Sequence, residues 1–141
     1  MSTDNLAVLL RRLGPDFAGE QSWSNNHPMP LVTLEEFFDG NDDGGSLQCA
    51  SLEVARPVFT ALRERSDVAD VRIGITQWDG AGTWPLGEYL YLVTSADAET
   101  VAGWLKKAEV WADEYGIGNE HREREPLDVP DGMHVVWVWF D

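Results

Sequence analysis

Four segments with strand-like patterns and two with a helical period constrain the fold of this chain more than any other feature. The strand patterns cover residues 46–50, 70–78, 86–94 and 133–140. One helix is predicted around Pro57, and a longer one from an N-cap at Ser95 to Gly116. The order strand, helix, strand, strand, helix, strand is that of the split βαβ, or ferredoxin-like, arrangement. We therefore predict an α+β fold, βαββαβ, with one four-stranded antiparallel sheet and both long helices on one face.

The first 45 residues lie outside this pattern. They are predicted to form a helical extension that packs on a core of residues 46–141, so that residues 1–141 make a single domain. Leucines on one helical face predict a helix over residues 5–13. In "VTLEEFFDG", Thr33 and Glu36 have the spacing of a capping box, which predicts a second short helix with Phe37 and Phe38 toward the core.

Side chains alternate between the two faces of a sheet along each strand, so the face away from the predicted helices can be deduced. Its predicted members are aromatic or arginine residues: Arg72, Trp78, Tyr89, Tyr91, Trp137 and Trp139. We call this set the aromatic face. Three interpretations stay open: the N-terminal extension covers it, a partner or a second copy binds it, or it lines a small-molecule site.

The charge balance bears on the class of partner. Ten basic and 25 acidic residues give a net charge of −15, which repels phosphate backbones and argues against nucleic-acid binding. The same charge favours a basic protein partner. The single cysteine, Cys49, excludes an internal disulfide and suits a reducing compartment. Because no apolar run approaches about 18 residues, and the N-terminal charge order is the reverse of a signal peptide, we expect a cytoplasmic protein without a membrane span.

An acidic stretch follows the predicted short helix. Asp39, Asn41 and Asp43 match the first ligand positions of an EF-hand loop, but the twelfth position is Ala50, where a bidentate glutamate is required. We therefore expect a polar turn without a metal and keep calcium binding at residues 39–45 as an alternative. The residues predicted to contact a protein partner are those of this acidic stretch: Glu35, Asp39, Asn41, Asp42 and Asp43.

Catalytic patterns are weak in this sequence. Cys49 has three histidines as formal partners, His27, His121 and His134, but a lone cysteine on an apolar strand is typical of a small core residue. No "GxSxG" elbow or phosphate-binding glycine loop is found. The sequence therefore favours a protein that is not an enzyme and needs no cofactor.

Residues 30–141 resemble a family of small bacterial proteins of unknown function. The resemblance rests on "PLVTLEEFFDGNDDGGSLQC", on the strand that follows Trp84-Pro85, and on the C-terminal "VVWVWFD". It groups the chain with that family and implies no activity.

These observations lead to one expectation and two alternatives. We expect a non-enzymatic acidic protein-binding module, of the kind that serves as an immunity-type inhibitor of a basic toxin or nuclease. The alternatives are an enzyme or small-ligand binder that uses the aromatic face, and a calcium-binding module at residues 39–45.

Overall fold

A computed structural model of the protein describes residues 2–14, 28–80, 82–118 and 123–140. The helices in these ranges are α1 (Ser2–Leu13), α2 (Leu34–Phe38), α3 (Leu52–Arg63) and α4 (Ala98–Lys107). The strands are β1 (Leu31–Thr33), β2 (Val68–Gln77), β3 (Leu86–Thr94), β4 (Glu114–Ile117) and β5 (His134–Trp139). None of these helices is long and apolar enough to cross a membrane.

The five strands form one antiparallel sheet in the order β1-β2-β3-β5-β4. The predicted α+β class with a single antiparallel sheet is confirmed, and the predicted number of four strands is wrong. The residues of both edge strands were predicted to belong to other elements. β1 lies within the predicted extension, and β4 overlaps the end of the predicted long helix. Each is too short for a clear alternation, since β1 has three residues and β4 has four.

The predicted first strand at residues 46–50 is also wrong. Gly44–Ser46 forms a 3₁₀ turn, and Leu47 makes only an isolated bridge to Gly87. One split βαβ unit is present, because α4 connects two parallel strands, β3 and β4, with β5 between them. The complete ferredoxin-like arrangement is not confirmed.

All four helices pack on the same face of the sheet. The core there combines Leu9 of α1, Phe37 of α2, Phe59 of α3 and Leu105 of α4 with strand residues such as Ile73. Val71, Ile73 and Ile75 of β2 all lie on this face, as the alternation of side chains along a strand requires. Because α1 and α2 join the helical layer, these two helices of the predicted extension do not cover the aromatic face.

The capping box at α2 is confirmed. The Glu36 backbone N–H donates to Thr33 Oγ1 at 3.0 Å, and Thr33 N–H donates to Glu36 Oε1 at 2.8 Å. α4, by contrast, begins after Asp97 and not after Ser95, because the Asp97 carboxylate accepts the Thr100 N–H at 2.7 Å. α4 then ends at Lys107, where the predicted helix ran on to Gly116.

Side chains far apart in sequence close the outer edge of β1. Glu125 Oε1 accepts the Leu31 N–H at 2.8 Å, and Arg12 Nη2 donates to the Leu31 carbonyl at 3.2 Å. The guanidinium of Arg12 also bonds Glu125 at 2.7 Å and Glu36 at 3.0 Å. These polar groups occupy an edge that would otherwise be open to pairing with another chain.

Candidate functional site

The acidic stretch is used in two ways, and the first is to shape the turn. Asn41 donates to the Phe37 carbonyl at 3.2 Å and to Ser46 Oγ at 3.0 Å. Asp43 accepts the Gly45 N–H with one carboxylate oxygen and the Trp84 N–H with the other, both at 3.0 Å. Asn41 and Asp43 therefore hold residues 41–46 against the loop before β3.

The second use is ion pairing with α3. Glu35 makes a bidentate contact with Arg63, with N–O distances of 2.8 and 2.6 Å, and Asp39 pairs with Arg56 at 2.5 Å. Of the five predicted partner-binding residues, only Asp42 is exposed without a hydrogen bond or ion pair to another described residue. Most of the charge in this stretch is thus matched within the protein.

The geometry gives no support to the calcium alternative. Asp39 contacts an arginine, the Asn41 amide oxygen accepts the Asp43 N–H at 2.9 Å, and both Asp43 oxygens accept backbone N–H groups. Within the described ranges, no three histidine, cysteine or carboxylate side chains group as metal ligands.

The Glu35–Arg63 pair predicts a pH-dependent contribution to stability. The hydrogen bond from Arg63 lowers the pKa of Glu35 below its ordinary value. The contribution is therefore present above the unfolded-state pKa of about 4.3 and is lost as the pH falls through the lower folded-state pKa. Because the Glu35 side chain is 52% exposed, we expect Glu35→Gln to lower the free energy of unfolding by at most about 0.5 kcal/mol at pH 7.

Urea denaturation at pH 7 and at about pH 2 measures this contribution. The difference between wild type and Glu35→Gln should vanish at the lower pH. Asp42→Asn, which removes an exposed carboxylate without an ion pair among the described residues, is the matched control. A Glu35→Gln effect that persists unchanged at low pH contradicts the prediction.

The aromatic face is largely covered by other parts of the chain. Tyr91 is fully buried and Trp137 is 7% exposed, and both pack in a second core cluster. The residues that cover them are apolar and come from β1, from the chain just before it and from the chain before β5: Leu31, Met29, Leu127 and Met133. The Tyr91 hydroxyl bonds the Glu123 carboxylate at 3.0 Å. For the half of the aromatic face that contains Tyr91 and Trp137, the interpretation that another part of the chain covers it is therefore correct. The covering residues are not those of the predicted helices.

A second part of the aromatic face, on β3 and β5, is within reach of solvent. Tyr89 and Trp139 are partly buried neighbours in register on β3 and β5. Burial raises the pKa of Tyr89, and the charges of Glu88 and Glu114 raise it further.

The two remaining predicted members of the aromatic face act in local contacts. Arg72 donates to the Asp70 carboxylate at 3.0 Å and to the Leu31 carbonyl at 3.3 Å. The Trp78 indole N–H donates to the Thr83 carbonyl at 2.9 Å, which holds the loop between β2 and β3.

Residues 109–117, here called the β4 edge, form a surface that the sequence reasoning missed. Its large apolar side chains are exposed: Trp111 by 60%, Tyr115 by 42% and Ile117 by 45%. They make up half of the exposed large apolar side chains in the described residues. β4 pairs with β5 on one side and, within the described ranges, with no strand on the other.

Exposed carboxylates are interspersed with these apolar side chains in the β4 edge. Glu109, Asp113 and Glu114 are all exposed. Glu109 also has φ = 63°, the only positive φ of a non-glycine residue in the described part of the chain. The run "EYGI" contains an aromatic and a β-branched residue, which favour a strand. The helical spacing of Trp104, Ala108 and Trp111 favours a helix instead, and the prediction followed that spacing.

Cys49 is not positioned as a nucleophile. Burial raises the pKa of its thiol to about 12, so the thiolate is scarce at neutral pH. His134 Nε2 lies 2.6 Å from the Ala96 carbonyl. The other two histidines, His27 and His121, lie outside the described residues.

Two comparisons with known proteins gave matches. The model of the uncharacterized protein YfbO family matches residues 6–138. The uncharacterized protein YfbO of Escherichia coli (strain K12) is 37% identical over 120 residues, which cover 81% of this chain and 84% of that protein. No solved structure matches the chain.

Proposed function

Because the chain belongs to the YfbO family of uncharacterised bacterial proteins, for which no activity is established, we propose its function from its own surface: a non-enzymatic acidic module that binds a basic protein. The observation that carries the proposal is the β4 edge. There, three exposed apolar side chains and three exposed carboxylates lie in or just before β4, which pairs with a strand on one side only among the described residues.

The β4 edge has the properties of a strand-addition site. An extended segment can hydrogen-bond to the open side of an edge strand, and its alternate side chains then lie over the two faces of the sheet. Exposed tryptophan and tyrosine provide contact area at low entropic cost. A segment with alternating basic and apolar residues would place its charges on the face of Glu114 and its apolar groups on the face of Tyr115 and Ile117.

The opposite edge of the sheet does not offer the same opportunity. Arg12 and Glu125 occupy the backbone groups of Leu31 on the outer side of β1. The contrast between one closed edge and one open edge supports assigning partner binding to β4. The net charge of −15 would speed the approach of a basic partner and orient it.

The class of partner that fits best is a basic toxin or nuclease, which gives this protein an immunity-type role. A non-catalytic acidic protein inhibits such a partner by occupying its basic surface. The partner-binding role falls mainly on the β4 edge, while the acidic stretch supplies Asp42 as a further exposed carboxylate.

Titration of the ¹⁵N-labelled protein with a synthetic peptide of alternating lysine and valine tests the binding surface. We expect chemical-shift changes at residues 111–117 and weaker binding as salt is raised, because the attraction is electrostatic. A peptide with glutamate in place of lysine is the matched control and should cause no chemical-shift changes. Shifts confined to residues 39–43, or none anywhere, would contradict the proposal.

A pair of variants separates edge binding from general charge effects. Ile117→Lys places a positive charge on the β4 edge, whereas Val129→Lys places the same charge on an equally exposed loop residue, since the two side chains are 45% and 41% exposed. The first variant should abolish binding of the lysine peptide, and the second should retain it. Coexpression with a basic protein encoded beside the gene extends the test, because only Val129→Lys should still neutralise it.

A further inference from the structure

Helix α4 ends in a turn that places Glu109 in a left-handed conformation. The Val110 N–H donates to the Leu105 carbonyl at 2.9 Å, and the N–H of Glu109 donates to the carbonyl of Lys106 at 3.0 Å. These two bonds make the Schellman motif, in which the left-handed position is usually a glycine. Here that position is Glu109, with φ = 63°, whereas every other positive φ in the described residues belongs to a glycine.

Glu109 lowers the stability of the chain in two ways. A side chain with a Cβ atom is disfavoured in the left-handed region. A carboxylate at the C-terminal end of a helix also meets the negative end of the helix dipole. The Glu109 side chain is exposed, and no hydrogen bond or ion pair joins it to another described residue. The stability of the chain by itself therefore does not explain a glutamate at this position.

Trp111, two residues further on, is the most exposed large apolar side chain in the described part of the chain, at 60%. The backbone on both sides of it is fixed. Val110 is fully buried, and Ala112 packs against the core on the helical face. The Asp113 N–H donates to the Trp139 carbonyl at 3.0 Å. Trp111 is therefore an exposed ring on a fixed backbone, directly before β4.

A cation of the chain itself lies at this ring. Lys106 Nζ is 5.7 Å from the centre of the Trp111 ring, which is within the range of a cation–π contact. Both side chains are exposed, and a cation–π contact at an exposed site is weak enough to exchange with another cation. The position of Lys106 thus shows which chemical group this ring attracts.

We propose that Trp111 and Glu109 form a cation-recognition site for a lysine or arginine side chain of the basic partner, and that Lys106 occupies the Trp111 ring in the unbound protein. The indole ring attracts the cation, and the Glu109 carboxylate pairs with its charge. Both side chains flank the buried Val110 and are exposed. The inference rests on the proposed binding at the β4 edge and names the residues that select a positive charge there.

Titration of the ¹⁵N-labelled full chain with the lysine–valine peptide tests the site directly. We expect nuclear Overhauser effects between the ε-methylene protons of a peptide lysine and the ring protons of Trp111. Peptide binding at residues 112–117 without these contacts overturns this inference and leaves the proposed function standing. Absence of chemical-shift changes throughout the β4 edge overturns both.

Lys106→Gln removes the cation that occupies Trp111. We expect this variant to bind the peptide about two- to fivefold more tightly, because the peptide lysine no longer competes for the ring. Lys107→Gln is the matched control, since it removes the same charge from the next residue, which is exposed and lines the groove between α3 and α4. At an ionic strength of about 0.15 M, where distant charges are screened, the control should bind as the wild type does. Equal affinities of the two variants overturn the inference.

Glu109→Gly separates the effect on binding from the effect on stability. Glycine suits the left-handed turn and removes the charge from the helix end, so the melting temperature should rise by about 2 to 3 °C. Peptide binding should nevertheless weaken by about threefold, because the carboxylate is lost. Asp42→Asn, which removes an exposed carboxylate elsewhere, should retain the wild-type affinity. A Glu109→Gly variant that is more stable and binds the peptide unchanged overturns the role of Glu109.

Discussion

Truncation of Phe59 to alanine is expected to lower the free energy of unfolding by about 4 kcal/mol. Phe59 is fully buried at the centre of the helical layer. Its ring centre lies 6.1 Å from that of Phe38 in α2 and 6.4 Å from that of Phe140 after β5. Its removal leaves a cavity between three separate parts of the chain, and none of them can move to fill it without breaking its own contacts with the sheet.

Urea denaturation of wild type and Phe59→Ala at neutral pH measures this loss. Phe59→Leu is the control, because it keeps most of the buried volume and should cost about 1.5 kcal/mol or less. Equal losses for the two variants would show that ring packing and cavity formation do not determine the energy at this position.

Substitution of Gly87 by alanine is expected to cost about 2 to 3 kcal/mol. A Cβ atom at this position in β3 would lie 2.7 Å from Ile73 Cγ2 and 3.0 Å from Phe37 Cε1. Ile73 and Phe37 are themselves buried and closely packed. The strand and α2 would have to move apart, which would also disturb the bridge between Leu47 and Gly87.

Gly103→Ala tests whether this cost arises from the close approach and not from the loss of a glycine as such. Gly103 lies in α4, and a Cβ atom there would have no heavy atom within 4 Å outside its own helix and chain neighbours. That variant should gain about 1 kcal/mol, because alanine is the better helix former. The melting temperatures of the two variants should therefore shift in opposite directions, and a parallel shift would contradict the structural explanation.

Features with short-range physical causes were predictable from the sequence. The capping box of Thr33 and Glu36 needs only a four-residue segment, and both of its hydrogen bonds are present. The faces of β2, β3 and β5 follow from alternation over six or more residues, and the buried sets agree with it.

Elements defined by long-range contacts were not predictable in the same way. β1 has three residues, and it is a strand because Leu31, Val32 and Thr33 pair with β2. The segment after Ala108 leaves the helix at Glu109, whose left-handed φ no propensity would suggest, and then pairs with β5. Residues 46–50 have the composition of a strand. They cannot pair with β2 or β3 in the sheet, because each of these strands already has a neighbouring strand on both sides.

The candidate site was only partly predictable for a related reason. The sequence shows that Glu35 and Asp39 are acidic, but it does not show that Arg63 and Arg56 of α3 lie beside them. Alternation correctly assigns Tyr91 and Trp137 to one face, but whether that face is open depends on residues 29–31 and 127–133.

The closed edge of β1 has a consequence for synthesis on the ribosome. Its outer backbone groups bind Arg12 and Glu125, which are 113 residues apart in the chain. With chain growth of roughly 5 to 20 residues per second, several seconds pass between the synthesis of Leu31 and that of Glu125, whose side chain binds the Leu31 N–H. The N-terminal part of this protein therefore completes its native contacts only after Glu125 has been synthesised, and a chaperone that shields nascent chains would have this strand as a target.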